Sequence, residues 1–120
     1  MSIAETNLRG FPRVGPTIIK ARIISDGECL GDGYLINLSL GGGFIASEAP
    51  PRSGLPLTLA FDLPWALGEV SEDIRIVWSR ERDRYDDAGA GFEFIDLGTD
   101  ARARISRYLD RFERIAALIG

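Results

Sequence analysis

Arg9 and Arg13 stand four apart near the start of the chain, and 24 positions after Arg13 comes the run Asn37-Leu38-Ser39-Leu40-Gly41-Gly42, which Gly43 extends. A guanidinium is a planar, permanently charged fork that matches phosphate oxygens and stacks on flat rings. Asn37 and Ser39 add short hydrogen-bonding side chains, and the glycines leave an open backbone. A folded dinucleotide anion needs those parts: charge for its phosphates, donors and acceptors for its base edges, and a flat cation against its bases. The pattern favours ligand binding over catalysis.

The arginine spacing carries little weight by itself. Arg-x-x-x-Arg recurs at Arg80/Arg84 and at Arg107/Arg111. The last pair belongs to the polar face of a helix, where the spacing arises by chance. Asn37 and Ser39 carry more, because residues two apart on a strand share a face. With Tyr34, Ile36 and Leu38 taken as the core face, Asn37 and Ser39 line up on the exposed one. Gly41 to Gly43 can adopt positive φ and admit a ligand to the backbone N–H groups.

The elements that position these residues follow from the rest of the sequence. A chain of 120 residues supports one domain with one core, and 45% apolar content is that of a globular chain. No apolar run reaches the roughly 18 residues of a membrane helix. The first residues lack both the basic start and the apolar stretch of a signal peptide. Cys29 is the only cysteine, so an internal disulfide is excluded and a reducing, cytoplasmic location is expected. The absence of His removes the commonest acid–base catalyst and the His-based metal sites. A net charge of −4 argues against a general nucleic-acid or membrane-surface binder. Carboxylates cluster at Glu69, Glu72 and Asp73 and at Asp83, Asp86 and Asp87, in expected loops of mixed charge that suit solvation better than a catalytic metal.

Residues 1–16 form a Pro- and Gly-punctuated arm without an expected helix or strand. Residues 17–98 then alternate with the period of strands. Ile19, Ala21 and Ile23 oppose Lys20 and Arg22. Turns are expected at Asp26-Gly27 and Asp32-Gly33, and short strands run through Tyr34–Leu38 and Phe44–Ser47. Leu55, Leu57, Leu59, Phe61 and Leu63 make the cleanest alternation. A long loop over Pro64–Glu72 leads to Ile74, Ile76 and Trp78, and Ala90, Phe92 and Phe94 close the series. Six short strands indicate an antiparallel barrel or sandwich. At residues 99–119 the period becomes helical, with Ile105, Tyr108, Leu109, Phe112, Ile115, Ala116 and Ile119 on one stripe that covers the barrel's open end.

The two motifs together resemble those of the PilZ domain family, the bacterial receptors for cyclic di-GMP. Arg9 and Arg13 match that family's Arg-x-x-x-Arg, and Asn37, Ser39 and Gly42 match its Asp/Asn-x-Ser-x-x-Gly. Phe11-Pro12-Arg13-Val14, Ile76-Val77-Trp78, Gly89-Ala90-Gly91-Phe92-Glu93-Phe94 and the closing helix extend the resemblance over nearly the whole chain. It implies a single, mainly β domain: a six-stranded antiparallel barrel of split or Greek-key type with a C-terminal α-helix. It also implies cyclic di-GMP held by Arg9, Arg13, Asn37, Ser39 and Gly42, with no cofactor, metal or catalytic residue. Ligand binding would order the arm and create a surface for a downstream protein; no nucleic-acid polymer or membrane is expected as partner. Many relatives carry a further Arg at the position of Leu8, so one ligand per chain is expected here. The other reading is an adaptor that docks a protein without nucleotide, through Trp65 or the helix stripe.

Overall fold

Each alternating segment of the sequence becomes a strand with its apolar side chains turned to one interior. The computed structural model describes residues 4–6, 12–14, 19–54, 56–83 and 87–119, and of the first two segments the backbone alone. Among the described residues eight strands precede one helix: β1 (Ala4–Thr6), β2 (Pro12–Val14), β3 (Ile19–Ser25), β4 (Glu28–Leu38), β5 (Gly42–Ala46), β6 (Pro56–Leu63), β7 (Gly68–Arg80), β8 (Gly89–Phe94) and α1 (Thr99–Ile119). Strands β3 to β8 are all antiparallel to their neighbours and close on themselves in the order β3-β4-β5-β8-β7-β6. This is the expected six-stranded barrel. The arm adds what alternation could not reveal: β1 pairs with β2, and β2 joins β4 at Val14 and Leu38.

The interior is filled by Ile19, Ala21 and Ile23 of β3, Leu57, Leu59, Phe61 and Leu63 of β6, Val70, Ile74 and Ile76 of β7, and Phe92 of β8. Leu55, expected to join the β6 row, lies outside the described residues. Burying one such side chain contributes about 1.5–3 kcal/mol. Ala101, Ile105 and Tyr108 bring α1 into the same core, with Leu109 and Phe112 packed at its margin. The far end of the expected stripe departs from this, since Ile119 stays exposed. Gly98 N–H donates to Glu72 Oε1 at 2.7 Å, which ties the start of α1 to β7.

Four expectations need correction. In β4, Leu35 rather than Tyr34 faces the core: Leu35 is 0% exposed and Tyr34 50%. A β-bulge at Ile36 is the reason, because Leu35 pairs with Ile45 and Asn37 already with Phe44, so one residue is left over and the phase slips. The same device in β7, between Ile76 and Trp78, turns Trp78 outward to 41% exposure. Asp26-Gly27 makes its turn, with φ of 49° and 79°, whereas Asp32-Gly33 lies inside β4. Gly33 is needed there for close approach, since a Cβ would overlap the Ala46 carbonyl oxygen. The long loop after Pro64 shrinks to a turn over Pro64–Leu67, because Trp65 and Ala66 both take left-handed φ, at 62° and 57°.

Candidate ligand-binding site

The connection from β4 to β5 is organised by one hydroxyl. Ser39 is 0% exposed, contrary to the expectation of an outward face shared with Asn37. Its Oγ donates to the Gly42 carbonyl at 3.1 Å and accepts the N–H groups of Gly41 at 3.1 Å and Gly42 at 3.2 Å. The Ser39 N–H also donates to the Gly42 carbonyl, at 2.7 Å, and the Gly41 carbonyl accepts the Phe94 N–H at 2.9 Å. The loop is therefore satisfied internally and tied to β8. Gly42 sits at φ 154°, and a Cβ there would overlap the Phe92 carbonyl. A Cβ on Gly43 would overlap the Asn37 carbonyl oxygen. These two glycines serve strand packing before any ligand.

Asn37 does the opposite. It is half-buried, and its Oδ1 is a buried acceptor without a hydrogen-bond partner among the described residues. A buried polar atom left unpaired costs about 1–3 kcal/mol, so it marks a position kept for a donor.

The backbone brings the two halves of the sequence pattern together. Val14 pairs with Leu38, so Arg13, its neighbour on β2, enters the sheet beside the Asn37–Ser39 segment; Arg13 itself pairs with Glu5 of β1. Arg9 and Leu8 lie outside the described residues.

Next to Asn37, on the outer face, is a shelf that alternation missed. Phe44, the register partner of Asn37, stacks on Trp78 with ring centroids 5.3 Å apart and planes 22° from parallel. The Arg80 guanidinium lies 4.8 Å from the Phe44 centroid and 5.6 Å from that of Trp78. Gly89 and Gly91 lie under the rings, since a Cβ on the first would overlap Phe44 and on the second Trp78. Two glycines on one face of β8 were the available signal for outward rings. Farther along β4 a recess of about 350 Å³ opens among Lys20, Asp32, Tyr34, Glu48 and Arg82, where Arg82 pairs with Glu48 at 2.8 Å. Asn37, Ser39 and Gly42 do not line it.

The carboxylates considered for catalysis have structural partners. Glu69 pairs with Arg22 at 3.5 Å, Glu72 accepts the Gly98 N–H, and Asp73 Oδ1 accepts the Thr58 hydroxyl at 3.2 Å. Asp87 pairs with Arg82 at 3.6 Å, and Asp86 lies outside the described residues. Among the described residues no three His, Cys, Asp or Glu side chains are grouped to hold a metal ion. No described helix is long and apolar enough to cross a membrane.

Comparison with known proteins gives one family and one fold. The PilZ domain family matches residues 7–111. No curated protein matches the sequence. Among solved structures, the PilZ domain of YcgR from Escherichia coli, with c-di-GMP, is 17% identical with a TM-score of 0.73, over 92% of this chain and 95% of that one. YcgR from Escherichia coli in complex with c-di-GMP is 19% identical with a TM-score of 0.74, over 92% of this chain and 48% of that one. The Bacillus subtilis inhibitor of motility is 16% identical with a TM-score of 0.67, over 88% of this chain and 51% of that one. This chain thus spans about half of those two longer proteins.

Proposed function

This chain belongs to the PilZ domain family, and we propose that it is a receptor domain for cyclic di-GMP that reports the bound nucleotide to another protein. The observation that carries the reading is the Val14–Leu38 bridge, which sets the Arg13 strand beside the unsatisfied Oδ1 of Asn37. A dianion with two guanines supplies what each side lacks. Arg9 and Arg13 meet phosphate oxygens and the N7 and O6 acceptors of guanine. The amino and imino N–H groups of guanine are donors, and Asn37 Oδ1 is the acceptor they fill. Ser39 shapes the loop that presents Asn37, and Gly42 seats that loop on β8. The solved complexes of YcgR with c-di-GMP, on the same fold, support the assignment.

The response follows from the arm. When both arginines engage the ligand, the arm that β2 joins to β4 is ordered further, and that ordering reshapes the surface around β2. Each charge-assisted bond contributes on the order of 1.5–3 kcal/mol against the ordering cost. With Leu8 in place of a third cation, the site takes one ligand per chain. The protein acts without covalent chemistry, in the cytoplasm.

Isothermal titration with cyclic di-GMP tests this directly. Wild type should bind one equivalent, and Arg13→Ala should weaken binding about tenfold or more with an unchanged melting temperature. Two equivalents would overturn the stoichiometry, and undiminished binding by Arg13→Ala would overturn the site.

A further inference from the structure

On the helix flank beside the β6–β7 turn, three features come together. The first is the turn itself. Trp65 and Ala66 occupy consecutive left-handed positions that favour Asn or Gly, and the Leu67 N–H donates to the Pro64 carbonyl at 3.3 Å across them. Backbone strain of this kind persists where the displayed side chain has a use. The second is what the strain displays. The Trp65 indole stacks on Tyr108 of α1 at 5.4 Å, carries the Arg111 guanidinium 4.8 Å above its ring, and still leaves 37% of the residue exposed. The third is charge. Residues 99–119 hold five arginines against Asp100, Asp110 and Glu113, a net +2, so the remainder of this −4 chain carries −6. Arg104, Arg107, Arg111 and Arg114 follow one another at helical spacing along one stripe. Arg104 donates to the Glu69 carbonyl at 3.0 Å and Arg114 pairs with Asp110 at 3.0 Å. Arg107 and Arg111 are exposed and have no ion pair among the described residues, although like charges four apart repel.

We propose that Trp65, Arg107 and Arg111 form a docking surface for an acidic segment of another protein, with carboxylates on the two guanidiniums and one apolar residue on the indole. The proposal does not depend on nucleotide binding. Arginine forks take carboxylates bidentately, and a rigid, half-covered Trp is a natural anchor at an interface centre. The stretch from Arg107 to Arg114 rises about 10 Å along the helix, the reach of about three extended residues. A narrow peptide can follow that stripe. A flat anionic membrane or a nucleic-acid duplex would also meet exposed Asp62 and Glu69 on the same hairpin, in a chain of net negative charge.

The test is selection of a displayed random-peptide library against the protein without nucleotide, followed by titration of the enriched peptides. Acidic peptides with an apolar residue should be enriched on wild type. R107E/R111E should weaken them about tenfold or more, and W65A should do likewise, whereas R22E/R52E, with the same change in net charge, should bind as wild type. Melting curves verify that R107E/R111E, which alters exposed side chains alone, stays folded. Titration of R107E/R111E with cyclic di-GMP reads the receptor function separately, so loss of one reading leaves the other standing. Enrichment without acidic residues would overturn the proposal. So would equal binding by R107E/R111E, or binding of phosphatidylserine vesicles or duplex DNA where acidic peptides fail.

Discussion

Ser39 and Asn37 sit two residues apart and divide the work of one loop. The Ser39 hydroxyl is consumed by the backbone of its own turn, with one bond donated and two accepted. Removing it leaves the buried N–H of Gly42 and the part-buried N–H of Gly41 without that acceptor, at about 1–3 kcal/mol. Ser39→Ala should therefore lower the melting temperature by several degrees, and its loss of ligand affinity should follow from the disordered loop. Asn37→Ala removes an acceptor that is already unpaired, so stability should hold or rise slightly while cyclic di-GMP affinity falls about tenfold. Thermal melts and calorimetry on the two variants check this division; equal destabilisation by both would refute it. The motif residues were legible in the sequence, and their separate duties were not. Period 2 gave Asn37 and Ser39 a common face, but β4 ends at Leu38 and Ser39 turns into its own loop, while the bulge at Ile36 had already moved the core face from Tyr34 to Leu35. A bulge inserts a residue without a composition signal of its own.

The same limit governs the elements. The alternation of β3 and β6 and the helical period of residues 99–119 place those elements where expected, although Ala60 is buried between Leu59 and Phe61 and the helical stripe ends exposed at Ile119. The first half of β7 was hidden because Val70 alone among Gly68–Glu72 is fully buried and no Asn-Gly or Asp-Gly marks the preceding turn. A turn of Trp and Ala in left-handed conformation gains its place from the Trp65–Tyr108 stack, a contact between distant parts of the chain that local pattern does not encode. Ala66→Gly relieves the strain at φ 57° and leaves the indole where it is. It should stabilise the protein by about 0.5–1 kcal/mol, although Gly also loosens the unfolded chain. A rise of a few degrees in the melting temperature is expected; a fall would mean that the turn carries no strain.

At the scale of the whole molecule, barrel and helix share one interior. Ile105 is fully buried from α1 among residues of the barrel, so the two should melt in a single transition. Ile105→Ala leaves a cavity that costs about 2–5 kcal/mol, a drop on the order of 10 °C for a domain of this size. Ligand binding acts on that same equilibrium from another place. At 100 times its dissociation constant, cyclic di-GMP adds about 2.7 kcal/mol by mass action wherever the weakness lies. Saturating nucleotide should thus return Ile105→Ala most of the way to the melting temperature of free wild type, while the same concentration adds about 1.4 kcal/mol at most to Arg13→Ala, whose affinity is at least tenfold lower. Differential scanning calorimetry reads both variants with and without ligand. Because α1 lies against β2 as well as β6 and β7, the increment in Ile105→Ala also reports whether a loosened helix still supports the arginine strand. A full increment makes the site a property of β2, β4 and β5 alone. A reduced one extends it to the helix, and two separate melting steps would refute the shared interior.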